Sequence, residues 1–85
     1  MRNQYGVQMR TESDELTLKK FGANLRMLRK EKDLSIRQLS HLCKVDYSKI
    51  GEIERGRVNL TLLTMKELAQ ALDVPPSRLL DFKFE

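Results

Sequence analysis

Apolar residues recur at intervals of three and four through most of this chain, the period of a helix with one buried face. Leu18, Phe21, Leu25 and Leu28 form such a stripe and predict a first helix over residues 14–32, with the Thr11-Glu12-Ser13 cluster placed to cap it. Asp33-Leu34-Ser35 interrupts the run and supplies an N-cap hydroxyl; Leu39 and Cys43 then mark a short second helix over residues 36–43. Only Lys44-Val45-Asp46 separates it from the next helix, too little chain for anything but a tight turn. Asp46 caps that third helix, Ile50 and Ile53 face inward, and Gly56 after Arg55 takes the left-handed position that stops helices. Thr61 opens a fourth helix with Met65, Leu68, Ala69 and Leu72 as its buried stripe, and Thr64-Met65-Lys66-Glu67 has capping-box form one turn in. Pro75-Pro76 follows, and the second proline suits the first turn of a brief fifth helix over residues 77–80 that carries Leu79 and Leu80 inward. No strand is required, so the expected fold class is all-α with five helices. Residues 1–13, polar and aperiodic, read as a flexible N-terminal arm, and residues 14–85 as one domain with a short tail.

A chain of 85 residues accommodates one domain. At this size only roughly 60% of the extended surface is buried, so stability rests on well-packed elements or on a partner subunit. Cys43 is the one cysteine, which excludes a disulfide framework; with no histidine cluster beside it, no metal and no cofactor are expected, and a reducing compartment is. Neither a secretory core near the N-terminus nor a run of ~18 apolar residues is present, which points to a cytoplasmic protein away from the membrane. Charge is unevenly placed. Between residues 19 and 57 eleven Lys or Arg oppose five acids, while both flanks are slightly acidic. Nucleic-acid binders concentrate basic residues in this way, but so do ordinary solvated helix faces.

Two short helices joined by a three- to four-residue turn form the unit that fits the major groove of B-DNA. Leu34-Ser35-Ile36-Arg37-Gln38-Leu39-Ser40, then Val45-Asp46-Tyr47-Ser48-Lys49-Ile50-Gly51-Glu52-Ile53-Glu54-Arg55-Gly56, and downstream Leu68-Ala69-Gln70-Ala71-Leu72-Asp73-Val74 carry a resemblance to a known family. Residues 21–80 resemble the lambda-repressor-like (Cro/repressor, XRE) helix-turn-helix family. The resemblance implies a sequence-specific DNA-binding transcriptional regulator, acting as a homodimer on a two-fold related operator, with residues 46–55 as recognition helix. Within the family, the stand-alone length and Asn59-Leu60-Thr61-Leu62-Leu63 resemble the controller proteins of restriction-modification systems.

With Ile50 and Ile53 inward, Tyr47, Ser48, Gly51, Glu52 and Arg55 lie on the opposite side of the third helix. Tyr47, Ser48, Gly51 and Glu52 are the candidate base contacts: a hydroxyl donates or accepts, and a tyrosine ring packs on a thymine methyl. Glu52 either accepts from a cytosine amine or repels the wrong site. Gly51 is unfavourable inside a helix by roughly 1 kcal/mol, and signals a close approach either to DNA or to the second helix. Ser35, Ile36 (through its amide), Arg37, Lys44, Arg55, Arg57 and Asn59 sit at helix starts and loops, where side chains and free amides reach phosphate oxygens. The resemblance further implies an ion pair of Arg29 with Glu54 beneath the recognition helix. Two positions depart from the family pattern. Ile36 stands where a DNA-touching glutamine is common, and Lys44 stands at the turn glycine, where it either adopts a left-handed backbone or remodels the turn.

His41 and Cys43, two apart on a helix, point to different sides, so no catalytic residue is assigned and the chain is not expected to be an enzyme. Cys43 reads as a core thiol and His41 as solvent-facing. Met27, Leu42 and Leu63 lie off the stripes; of these Leu63 is the one favoured as a contact, forming with Leu79, Phe82 and Phe84 a self-complementary dimer patch. The alternative reading is an antitoxin-type protein-binding module that pairs with a toxin. RNA binding is less favoured, because an aromatic stacking platform is missing.

Overall fold

Four α-helices and a terminal 3-10 turn follow one another in the computed structural model, which describes residues 9–84. They are α1 (Glu12–Glu31), α2 (Ile36–His41), α3 (Tyr47–Glu54), α4 (Leu62–Leu72) and the turn Pro76–Leu80. The fold class is all-α as expected, but the fifth helix is replaced by the 3-10 turn. Most of the expected arm, residues 1–8, lies outside the described residues.

Short polar side chains fix where the helices begin. In α1 the Thr11 hydroxyl accepts from the Asp14 amide and the Asp14 carboxylate accepts from the Thr11 amide, both at 3.0 Å, a reciprocal cap that starts the helix at Glu12, not residue 14. Ser35 and Gln38 repeat this at α2. At α3 the Asp46 carboxylate accepts from the Lys49 amide at 2.8 Å, and at α4 the Thr61 hydroxyl accepts from the Thr64 amide at 3.1 Å. The capping box expected one turn into α4 does not form, because the Glu67 carboxylate instead accepts from the Lys44 amide at 3.3 Å and joins α4 to the turn between α2 and α3.

Helix ends are set by left-handed residues at three places: Asp33 (φ 56°), Gly56 (φ 76°) and Asp73 (φ 55°). Lys44 is not among them, so the turn is remodelled and the left-handed alternative is excluded. The second helix ends at His41, earlier than residue 43, because the Leu42 amide turns back to the Leu39 carbonyl. Cys43, half-buried, points its thiol at the same carbonyl, 3.3 Å away.

The core is assembled from every element: Phe21, Leu25 and Leu28 of α1, Leu39 of α2, Ile50 and Ile53 of α3, Leu68, Ala69 and Leu72 of α4, with Val45 and Leu79. Each large side chain buried in this way stabilises the fold by roughly 1.5 to 3 kcal/mol. Asn24, buried on α1, donates to the carbonyls of Arg78 (2.7 Å) and Leu79 (3.1 Å), which pins the 3-10 turn. Leu79 therefore enters the core, whereas Leu80, expected inward beside it, is exposed, since neighbouring residues of so short a turn cannot share one face.

Candidate nucleic-acid interface

Burial of Ile50 and Ile53 fixes the rotation of α3 and leaves Tyr47, Ser48 and Lys49 exposed on its first turn. Tyr47 keeps 48% of its surface exposed, and the Arg37 guanidinium lies over its ring, 4.8 Å from the centroid. This contact joins the first turn of α2 to the first turn of α3, so a candidate phosphate contact and a candidate base contact present themselves side by side. Ile36 is half-buried through its side chain, and the amides of Ile36 and Arg37 head α2, where no carbonyl of the helix's own can reach them. Ser35 is different: its amide already donates to Gln38 at 2.8 Å. The Lys44 amide is likewise taken by Glu67, which leaves the ammonium as its free group. Lys49 was not singled out from the sequence as a contact; it is exposed as well, although periodicity does not mark it as outward, since it lies one turn before the buried Ile53.

The support beneath α3 is ionic and buried. The Arg29 guanidinium grips Glu54 with two parallel hydrogen bonds, Nε to Oε2 at 2.7 Å and Nη2 to Oε1 at 2.9 Å, with the side chains only 8% and 6% exposed. A third bond, Nη1 to the Leu34 carbonyl at 2.7 Å, ties the α1–α2 loop to the same group. The hydrogen bond to Glu54 raises the Arg29 pKa above the ordinary guanidinium value, against the opposing effect of burial. The ion pair implied by the resemblance is thus present, and it fastens α1, α3 and the intervening loop at one point.

Two glycines let α1 approach this closely. A Cβ on Gly22 would lie 2.5 Å from the carbonyl oxygens of Ile53 and Glu54, and one on Gly56 would lie 2.7 to 2.8 Å from the backbone of Lys19. Gly22 carries no signal in the helical periodicity, because the need for it arises only when α3 is laid across α1. Gly51 differs from both. Its nearest neighbour would be the Arg55 guanidinium at 3.2 Å, with nothing from α2 within contact, so the proximity to the second helix offered as one explanation does not occur.

At the far end of α3, half-buried Glu52 faces the guanidinium groups of Arg55 (3.7 Å) and Arg57 (3.5 Å), both exposed. Asn59 is exposed in the loop that follows. The candidate residues therefore lie along α3 and its flanks, with Arg37, Tyr47 and Ser48 at one end and Glu52, Arg55 and Arg57 at the other.

A helix-turn-helix family model (HTH_3) matches residues 25–79, which takes in all of α2, α3 and α4. The crystal structure of the restriction-modification controller protein C.AhdI from Aeromonas hydrophila is similar, with a TM-score of 0.74 and 44% identity, over 75% of this chain and 97% of that one. The chain belongs to the Cro/repressor-type (XRE) helix-turn-helix family. The control protein C.BamHI of Bacillus amyloliquefaciens is 36% identical over 63 residues, 73% of this chain and 78% of the relative. An uncharacterized helix-turn-helix-type regulator, y4dJ, of Sinorhizobium fredii is 40% identical over 53 residues, covering 62% and 69% respectively. The fold is thus lambda-repressor-like, and this helix-turn-helix protein is a DNA-binding transcriptional regulator in a family of regulators and not of enzymes. Among the described residues no helix is long and apolar enough to cross a membrane, and no group of side chains is arranged to hold a metal ion.

For this helix-turn-helix regulator the expected apolar patch needs one correction. Leu79 is fully buried and cannot take part, because Asn24 holds its segment against α1. Phe82 is half-buried, edge-on to Phe21 at 6.4 Å and stacked on Phe84 at 4.9 Å. Leu63 and Phe84 remain exposed, at 69% and 55%, and the neighbouring Leu62 is more so.

Proposed function

We propose that this regulator binds a two-fold related operator as a homodimer, lays α3 in the major groove, and controls a restriction-modification system, as its similarity to the restriction-modification controller protein C.AhdI supports. The observation that carries the reading is the exposed first turn of α3, Tyr47 and Ser48, held in fixed orientation from behind by the Arg29–Glu54 grip. Tyr47, Ser48 and Glu52 read base edges, and Gly51, buried beneath the Arg55 side chain, does so only once that side chain swings to the backbone; Ser35, Ile36, Arg37, Lys44, Arg55, Arg57 and Asn59 meet the backbone. A single domain of this size spans few base pairs, and two copies placed about one helical turn apart (~34 Å) supply the missing specificity. Leu63, Phe84 and the flank of Phe82 are the apolar groups available to join them.

Footprinting of the DNA upstream of the protein's own gene tests this directly. Two protected half-sites with centres about 34 Å apart are expected. Absence of protection at low ionic strength overturns DNA binding by this face, and a single protected half-site overturns the dimer. Tyr47→Ala should alter sequence preference; equal weakening on operator and random duplex would remove Tyr47 from base reading.

A further inference from the structure

The helix-turn-helix leaves unexplained a basic notch where the first half of α1 passes the end of α3. Arg10, Glu15, Lys19, Arg55, Gly56 and Arg57 line an open depression of about 620 Å³. Its walls come from two distant parts of the chain. Arg10 precedes the cap of α1, and Glu15 and Lys19 follow one turn apart on the same face. Arg55 and Arg57 flank Gly56, whose missing side chain lets the Lys19 backbone come within 3 Å of where a Cβ would stand. Four cationic groups thus face one carboxylate of the lining. Arg10 donates one N–H to the Arg57 carbonyl at 3.3 Å, which fixes its position and leaves its other donors available. The Lys19 ammonium makes no ion pair or hydrogen bond among the described residues. Arg55 and Arg57 face Glu52 at 3.7 and 3.5 Å, long and exposed ion pairs that a phosphate readily replaces.

We infer that this notch is a seat for a backbone phosphate of the DNA duplex, outside the helix-turn-helix and completed by Arg10 and Lys19. The inference rests on the DNA-binding reading above. Guanidinium forks match phosphate oxygens, and a polar, open, positively charged depression suits a phosphodiester and not an apolar ligand. Arg55 and Arg57 belong to both surfaces: when α3 enters the groove they meet one sugar-phosphate ridge, and Arg10 and Lys19 extend that contact along it. On binding, phosphate takes the place of Glu52 beside Arg57.

The test compares the full chain with the Arg10→Ala/Lys19→Ala double variant, both side chains being exposed. Affinity is measured across a salt series on the footprinted duplex and on a random duplex. Each lost phosphate contact lowers the slope of log affinity against log salt by about 0.9, so a drop of about 0.9 to 1.8, equal on the two duplexes, is expected. Glu15→Gln should tighten binding to both. An unchanged slope overturns the seat while leaving the regulator reading intact, and so does unchanged binding of Glu15→Gln. Failure of the wild-type chain to bind any duplex sinks the regulator reading and this seat with it. Inorganic phosphate titrated against the amide resonances of Gly56 and Arg57 separates the two sources of the anion. Phosphate-induced shifts combined with an unchanged DNA slope mean a site for free phosphate, and overturn the proposal.

Discussion

Arg29 illustrates how one side chain carries information that spacing alone does not. Its residue type is ordinary for a helix face, yet it is buried and shares three hydrogen bonds between Glu54 and the Leu34 carbonyl. Arg29→Met leaves the Glu54 carboxylate buried without a partner, at a cost of about 3 to 5 kcal/mol out of a total of about 5 to 15. Joint replacement of Arg29 and Glu54 by apolar residues should be far milder, and urea unfolding of the single and double variants measures the difference. Because the Arg29 pKa is raised, its contribution is complete below the ordinary guanidinium range and fades only as pH rises through the still higher folded value. The thermal midpoint should therefore lose nothing from this group between neutral and moderately alkaline buffer. The glycines separate in the same way. Gly22→Ala drives a methyl group against two backbone carbonyls and should cost about 1 to 3 kcal/mol. Gly51→Ala meets only the movable tip of Arg55 and should stabilise by up to about 1 kcal/mol in urea unfolding. If it does so while abolishing DNA binding, the glycine is there for the duplex and not for the fold.

At the level of helices, what was legible was whatever depends on neighbours in the chain. Ser35, Asp46 and Thr61 cap the helices they precede because a short oxygen-bearing side chain satisfies an amide three residues on, a requirement written wholly within four residues. Asp46→Ala should accordingly cost about 1 kcal/mol by urea unfolding, the price of an uncapped α3. Inward residues such as Ile50 and Ile53 were equally plain, since their periodicity reports the face directly. Features set by distant packing were not. Glu67 serves the Lys44 amide in place of its own helix, the last segment winds as a 3-10 turn because Asn24 holds its carbonyls, and Gly22 matters only against α3. In the site, the outward position of Tyr47 and Ser48 was readable for the same local reason, whereas the Arg37–Tyr47 contact and the notch around Lys19 required the tertiary arrangement.

Assembly is the question at the scale of the whole molecule. Phe84 stacks on Phe82, which itself rests edge-on against Phe21, so Phe84→Ser removes exposed apolar surface and leaves the inner ring in place. Combined with Leu63→Ser it should shift sedimentation toward the monomer without lowering the thermal midpoint of the dilute chain; an unaltered dimer relocates the interface. The grip on α3 has a longer consequence. The Arg29 fork and the two glycine contacts hold this helix by its inner side and last turn, the Asp46 cap holds its start through the Lys49 amide, and none of these touches the hydroxyls of Tyr47 or Ser48. Binding address and thermodynamic robustness are consequently inherited as separate traits. Descendants of such a chain can drift to new operators through a handful of outward substitutions, while the mounting that makes any of them readable stays under constraint.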